Sequence, residues 1–255
     1  MIQHNCVVRN VEQVAPNIFV LTFVSHPIAT GVSPGQFVNL KPDAGVDPML
    51  RRPFSVYVVD GDEVKIIFNV IGKGTAALRW KKPDETIDVL GPLGIPFGLN
   101  PDEFDTAVLV GGGLGVAPLP LTTRTLKQER KTVLTYLGAR TASMVTPHHL
   151  DNVRVATDDG SQGFHGNVVD LLSKELGGMD ISRLKIFACG PTAMLKALQK
   201  LVVERGIRCE ASLEGPMGCG FGICQGCPVE LVGGEKKYAL MCKDGPTFDI
   251  TKVRL

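Results

Sequence analysis

Apolar positions follow two different rhythms along this chain, and the change comes near Pro101. Before it, short apolar runs are separated by turn residues. Val7 and Val8 lead to the β-branched and aromatic run Ile18–Val24, typical of a strand. Ser33-Pro34-Gly35-Gln36 reads as a turn, and residues 37–40 resume a strand. A further strand spans residues 53–59, the turn Asp60-Gly61-Asp62 follows, and residues 64–70 form the next. Residues 74–80 read as a helix with Thr75 as its N-cap. A strand over residues 87–90 then runs into the Gly91-Pro92-Leu93-Gly94 turn. Short strands at this spacing with Gly/Pro turns predict an antiparallel β-barrel or sandwich.

Beyond Pro101 the apolar runs become continuous and alternate with helical stretches. Residues 106–110 are apolar without interruption, as a parallel strand buried on both faces requires. A glycine turn and a helix over residues 119–129 follow. Strands are expected over residues 132–137, 153–157, 184–188 and 208–213, with helices over 167–175 and 193–205. Strands alternating with helices predict a doubly wound parallel sheet, with ligands at the strand C-termini.

Composition narrows the function classes. The chain has 255 residues, 27 Lys and Arg against 26 Asp and Glu, and a net charge of +1. No basic run is present to neutralise a row of phosphates, which argues against nucleic-acid binding. No apolar run is long enough to span a bilayer, and Met1 to Cys6 lacks the features of a secretory signal. Seven cysteines make an odd count for a secreted disulfide framework, so a reducing, cytoplasmic setting is expected.

Four of those cysteines stand in one pattern. Cys219, Cys224 and Cys227 form C-x4-C-x2-C, and Cys242 follows. This is plant-type ferredoxin spacing, whose thiolates hold a [2Fe–2S] cluster. Gly218, Gly220, Gly222 and Gly226 suit a loop that folds tightly with its N–H groups inward. Structural zinc and a disulfide are the competing readings; zinc ribbons usually bring two C-x2-C pairs, and only one is present.

Three other motifs carry chemistry. Arg51-Arg52-Pro53-Phe54-Ser55 begins a strand whose alternation sends Arg52 and Phe54 to one face. A guanidinium matches a phosphate and a ring covers a flat heterocycle, so both can meet one ligand. Ile71-Gly72-Lys73-Gly74-Thr75 is a glycine turn entering a helix, a setting suited to a pyrophosphate. Gly111-Gly112-Gly113-Leu114-Gly115-Val116-Ala117-Pro118 joins strand to helix as a second phosphate cradle, or serves only close packing. No acidic residue ends the next strand as a Rossmann ribose ligand would. Cys189 ends a strand before Gly190-Pro191, where it is either near a ligand or a small buried hydrophobe.

Arg52-Pro53-Phe54-Ser55 resembles the R-x-Y/F-S flavin motif of ferredoxin–NADP+ reductase-like proteins. Asn69, Val70, Ile71, Gly74 and Thr75 match the family's second FAD segment. Residues 111–119 are similar to its G-G-G-x-G-x-A-P-L pyridine-nucleotide motif, with Gly111, Gly112, Gly113, Gly115 and Pro118 in place. Cys189-Gly190-Pro191 matches its C-G-P element beside the nicotinamide. The resemblance implies a FAD-binding β-barrel over residues 1–100, a pyridine-nucleotide α/β domain over 101–212 and a [2Fe–2S] segment over 213–255.

The tail, from Glu214 through Cys227 to Cys242-Lys243-Asp244-Gly245-Pro246-Thr247-Phe248, resembles electron-transfer subunits of class 1B dihydroorotate dehydrogenases. That likeness implies FAD, a [2Fe–2S] cluster and NAD as cofactors, with NAD or NADP left open by Arg140. It also implies an FMN-containing catalytic subunit as partner, in a heterotetramer of two copies each. The substrate site lies on that partner, so no catalytic residue for dihydroorotate is assigned here. The same tail is found in small subunits of NADH-dependent reduced ferredoxin:NADP+ oxidoreductases and in sulfhydrogenase gamma subunits, which stand as the alternative. Met217, Phe221 and Ile223 around the ligands are either interface residues or the shell of the cluster.

Overall fold

The computed structural model describes residues 1–42, 45 and 47–255. Its first half has strands β1 (Ile2–Ala15), β2 (Ile18–Val24), β3 (Phe37–Lys41), β4 (Arg52–Ser55), β5 (Val58–Asp60), β6 (Glu63–Asn69) and β7 (Thr86–Leu93). Helices α1 (His26–Gly31) and α2 (Lys73–Arg79) interrupt them. The strands form one antiparallel sheet in the order β4-β3-β7-β1-β2-β6-β5. β4 and β5 are neighbours in sequence yet lie at opposite edges of that sheet. The Val56-Tyr57 step therefore joins the two edges and curls the sheet into a barrel.

That step corrects the single strand expected over residues 53–59. The Val56 N–H donates to Gln36 O at 3.2 Å and the Tyr57 N–H to Lys65 O at 2.8 Å, so the chain changes partners there. β1 is much longer than Val7-Val8 indicated, because polar side chains face outward while Cys6 and Val8 face in. Thr75 is not the N-cap of α2: Gly72 holds that place. Thr75 sits three residues in, where its Oγ1 accepts from the N–H groups of Ile71 (3.0 Å) and Gly72 (3.3 Å).

The second half contains β8 (Thr106–Gly112), β9 (Thr132–Ala139), β10 (Val153–Thr157), β11 (Phe164–His165), β12 (Leu184–Cys189) and β13 (Arg208–Ser212). Helices α3 (Leu119–Gln128), α4 (Val168–Leu176) and α5 (Thr192–Arg205) cover it. Helix α4 starts at Asn167, whose side chain accepts from the Asp170 N–H. Helix α5 ends on Gly206 at φ +66°, a conformation that glycine adopts without strain. The sheet order is β11-β10-β9-β8-β12-β13, with a last strand, β16 (Thr247–Asp249), added antiparallel to β13. Strand order reverses between β8 and β12, and the crevice at such a switch point is where α/β sheets bind ligands.

The tail leaves β13, forms the cysteine loop and a hairpin of β14 (Pro228–Glu230) and β15 (Tyr238–Leu240), then α6 (Met241–Asp244). It returns to the sheet as β16. The three parts share one core: Phe37, Leu90 and Leu93 of the barrel pack in the same buried cluster as Ile186, Leu195, Val229 and Cys242. The connection between barrel and sheet is also held by polar groups. Lys185, 5% exposed, donates to Gly98 O at 2.7 Å and pairs with Glu210 at 2.8 Å and Glu103 at 3.3 Å. Glu210 in turn accepts from the Gly98 N–H at 2.8 Å. No helix among the described residues is long and apolar enough to cross a membrane.

Candidate functional site

Barrel, sheet and tail meet around a cavity of about 360 Å³. Pro53, Phe54 and Ser55 wall it from β4, Phe37 from β3, and Phe68, Asn69, Ile71 and Thr75 from β6 and the start of α2. Leu114 and Ala117 enter from the glycine turn of the α/β half. Glu214, Gly215, Met217 and Pro246 close it from the tail. Its walls are mainly apolar and aromatic; the Phe54 and Phe68 rings stand 5.8 Å apart at 59°. Such a slot accepts a flat ring system, with Ser55, Asn69 and Thr75 as polar contacts.

Arg52 lies just outside this slot. A Cβ placed on Gly74 would fall 2.9 Å from Arg52 Nε and 3.2 Å from its Cζ. The guanidinium therefore lies against the turn that opens α2, with its Nη1 donating to Leu50 O at 2.6 Å. Two motifs twenty-two residues apart in sequence are thereby joined into one cationic corner at the mouth of the slot. Val70 packs against the barrel core beneath them.

Gly111 and Gly112 end β8 and Cys189 ends β12, with Gly111 paired in register with Cys189. The chain then makes a tight 3-10 turn over Gly113–Val116, with Pro118 capping α3. The glycines divide by role. A Cβ on Gly115 would fall 2.0 Å from Cys189 O, so the turn rests directly on the end of β12. Gly111 faces Leu119 and Leu137, and Gly112 faces Pro191 and Met194, at 2.7–3.1 Å. Gly113 alone of the four takes φ +55° and meets nothing. It is the open position of the turn. A Gly115→Ala variant should lose about 2 kcal/mol of stability through overpacking and reduce flavin more slowly with NADH. Gly113→Ala overpacks nothing but strains the left-handed φ, so it should cost only about 1 kcal/mol; thermal unfolding beside NADH titration of the flavin checks both.

Gly190 and Pro191 line a second cavity, of about 330 Å³, beside the N-terminus of α5. Glu214 borders both cavities. The buried Cys189 thiol donates to Glu214 Oε1 at 3.6 Å. Burial and then the adjacent carboxylate push this thiol well above its usual range. Cys189 thus remains protonated and is no nucleophile. Sequence reasoning gave Glu214 no role, although its place just past a parallel strand end was a usable signal.

The four motif cysteines come together as two pairs. Cys227 Sγ and Cys242 Sγ are 3.2 Å apart and buried. The β14–β15 hairpin explains their sequence separation: pairing of Pro228 with Leu240 returns the chain beside Cys227. The Met241 N–H donates to Cys227 O at 2.8 Å and locks that return. Cys219 and Cys224 form the outer pair, with the Cys224 N–H 3.5 Å from Cys219 Sγ. Burial alone would raise Cys219. Hydrogen bonds from the backbone of Cys224, Phe221 and Ile223 and from the Cys224 side chain outweigh it and bring the thiol down to about 6.

Cys242 is pushed up to about 12 by burial and by the adjoining Cys227. Two sulfurs so close hold their charge only when a cation joins them. No three His, Cys, Asp or Glu side chains among the described residues are set around one metal ion. A two-iron cluster asks instead for two sulfurs on each iron, and the paired thiols with inward N–H groups fit it.

Only two of the four loop glycines take the left-handed region, Gly220 at φ +86° and Gly222 at φ +91°. Gly218 and Gly226 instead flank Cys224 Sγ, where added Cβ atoms would lie 3.3 and 3.5 Å away. The three apolar residues near the ligands also separate: Met217 lines the cavity beside Phe54, whereas Ile223 is 75% and Phe221 37% exposed.

Residues 214–254 match the family described as the iron–sulfur cluster binding domain of dihydroorotate dehydrogenase B. The chain is 39% identical to the "Dihydroorotate dehydrogenase B (NAD(+)), electron transfer subunit" of Geobacillus kaustophilus (strain HTA426), over 95% of each chain. The protein of the same name from Bacillus mycoides (strain KBAB4) is 38% identical over the full length of both. Among solved structures, one described as NADH-dependent reduced ferredoxin-NADP oxidoreductase matches with a TM-score of 0.85 and 29% identity. It covers 98% of this chain and 89% of its own. The cytochrome b5 reductase domain of Ulva prolifera nitrate reductase shares the fold, with a TM-score of 0.66 and 14% identity over 80% of this chain and 93% of its own. The fold is thus the ferredoxin–NADP reductase-like one, and the chain belongs to the family of dihydroorotate dehydrogenase B (NAD(+)) electron transfer subunits.

Proposed function

We propose that this chain passes electrons from dihydroorotate, oxidised in a separate FMN-containing subunit, to NAD+ in pyrimidine biosynthesis. Its cofactors are FAD, a [2Fe–2S] cluster and NAD, and its assembly is a heterotetramer of two copies of each subunit. One observation carries the reading: a single cavity is bounded by the R-P-F-S strand, the glycine turn and the residues leading to the first cluster cysteine. When bound, FAD exchanges a hydride for single electrons and the cluster relays electrons one at a time.

The chain's own part is binding and orientation. Arg52 and the turn at Gly74 hold the pyrophosphate of FAD. Pro53 and Phe54 pack beside its ring, Ser55 offers a hydroxyl to the ring edge, and Asn69, Val70, Ile71 and Thr75 follow the linking chain. Gly111, Gly112, Gly113, Gly115 and Pro118 shape the cradle for the nucleotide phosphates. Cys189, Gly190 and Pro191 receive the nicotinamide side, and Glu214 Oε1 keeps the Cys189 proton in place. Cys219, Cys224, Cys227 and Cys242 hold the cluster, and the exposed Phe221 and Ile223 face the partner subunit.

Co-purification with the untagged partner, followed by NAD+ reduction with dihydroorotate, tests this function. A complex that instead turns over only with reduced ferredoxin and NADP+ supports the second reading, with which the 0.85 TM-score likeness is compatible. Arg52→Gln should weaken FAD binding about 10- to 100-fold, the worth of a charge-assisted contact, as read by flavin fluorescence on dilution.

A further inference from the structure

Asn39 of β3 is fully buried, yet its side chain does not serve the barrel core. Its Nδ2 donates to the carbonyl of Cys219 at 3.1 Å, across 180 residues of sequence. The next residue, Gly220, lies so close that a Cβ there would fall 2.3 Å from the same nitrogen. Arg51 braces the strand from the other side, donating to Asn39 O at 3.3 Å and to Asp88 O at 3.2 Å. Two residues earlier, on the same face of the strand, Phe37 walls the cavity lined by Phe54 and Ser55. Asn39 Oδ1 is buried and has no hydrogen-bond partner among the described residues. Satisfying that oxygen is therefore not what places the amide here.

We propose that Asn39 is a positioning residue for electron relay: its carboxamide pins the Cys219-Gly220 peptide to the strand that also walls the flavin cavity. The proposal rests on the cluster and flavin reading above and adds the device that fixes one against the other. Two consequences follow from the geometry. The spacing between flavin and cluster is set by a rigid strand rather than by the loop. The hydrogen bond to the Cys219 carbonyl also steadies the loop whose Cys224 N–H reaches Cys219 Sγ at 3.5 Å, so that the donors around that sulfur keep their aim. Removing it should lower the cluster's reduction potential and leave that of the flavin unchanged, since hydrogen bonding around the sulfurs tunes such clusters.

The test uses the assembled complex carrying Asn39→Leu, which keeps the volume and removes the donor, and separately Gly220→Ala, which strains the same contact from the loop. Expected for both are an altered electron paramagnetic resonance spectrum of the reduced cluster, a lower cluster potential, and iron loss to a chelator about fivefold faster, with full FAD content. Wild-type cluster spectra and chelator kinetics in Asn39→Leu with FAD retained would overturn the proposal. Should Asn39→Leu also lose FAD, Gly220→Ala decides: an unshifted cluster there overturns it equally. A parent complex with FAD but without a [2Fe–2S] signal would instead overturn the cluster assignment, a distinct result.

Discussion

Cys242→Ser should purify yellow instead of red-brown, retaining FAD and its reduction by NADH while losing more than about nine-tenths of the cluster. Cys242 is 1% exposed and stands 3.2 Å from Cys227, so the serine hydroxyl fits the space but offers iron a poor ligand. Electron passage from the partner to NAD+ should fall at least as far as the ~10- to 100-fold that loss of an outer-shell partner costs a metal site. Cys209→Ala serves as control, because Cys209 is buried in β13 away from the motif. It should keep the full spectrum. Iron and flavin analysis with visible spectroscopy decides the matter, and a Cys242→Ser protein with a full cluster would refute the ligand assignment.

The second large effect concerns the joint between barrel and sheet. Glu210→Ala leaves the buried Lys185 ammonium with Gly98 O and the more exposed Glu103 as partners and frees the Gly98 N–H. Breaking one side of a buried pair costs about 3 kcal/mol. In a chain of this size each kcal/mol moves the melting temperature by about 2–4 °C, giving a fall of about 6–12 °C. The double variant Lys185→Met with Glu210→Leu should recover most of it, since apolar replacement of both partners removes the stranded charge. Calorimetry of the FAD-loaded protein measures both. An unchanged melting temperature for Glu210→Ala would show that the cluster of charges is dispensable.

Much of the architecture was legible because its signals are local. Continuous apolar runs marked the parallel strands, and the helices between them were read to within a residue or two because the caps that bound them, Asn167 and Gly206, act within one turn. The barrel was legible in its strands but not in its closure. Closure depends on Val56 and Tyr57 changing partners between Gln36 and Lys65, a long-range event that leaves no periodic trace. The length of β1 was hidden because its outward face is polar.

The site was legible as motifs and opaque as an assembly. Residue type and spacing marked Arg52 and Phe54, but only the fold lays Arg52 on Gly74 or puts Met217 in the cavity lined by Phe54. The glycine run read either as a phosphate cradle or as close strand–helix packing. In space, Gly115 answers to the carbonyl of Cys189 and only Gly113 stands open. Asn39 lay outside any residue-type pattern, and Glu214 was marked only by its place after a strand end, because their roles come from tertiary neighbours.

β16 bears on how such proteins can be recombined. The cysteine loop leaves the sheet from β13, and the chain comes back to cover that same strand. A splice placed after Ser212 would therefore export the cysteines but strip β13 of its neighbour, leaving a bare strand edge open to pairing with other chains. Swapping the relay between relatives would need both crossings of the sheet, with β16 and the short 3-10 turn at Ile250–Lys252 travelling in the same cassette.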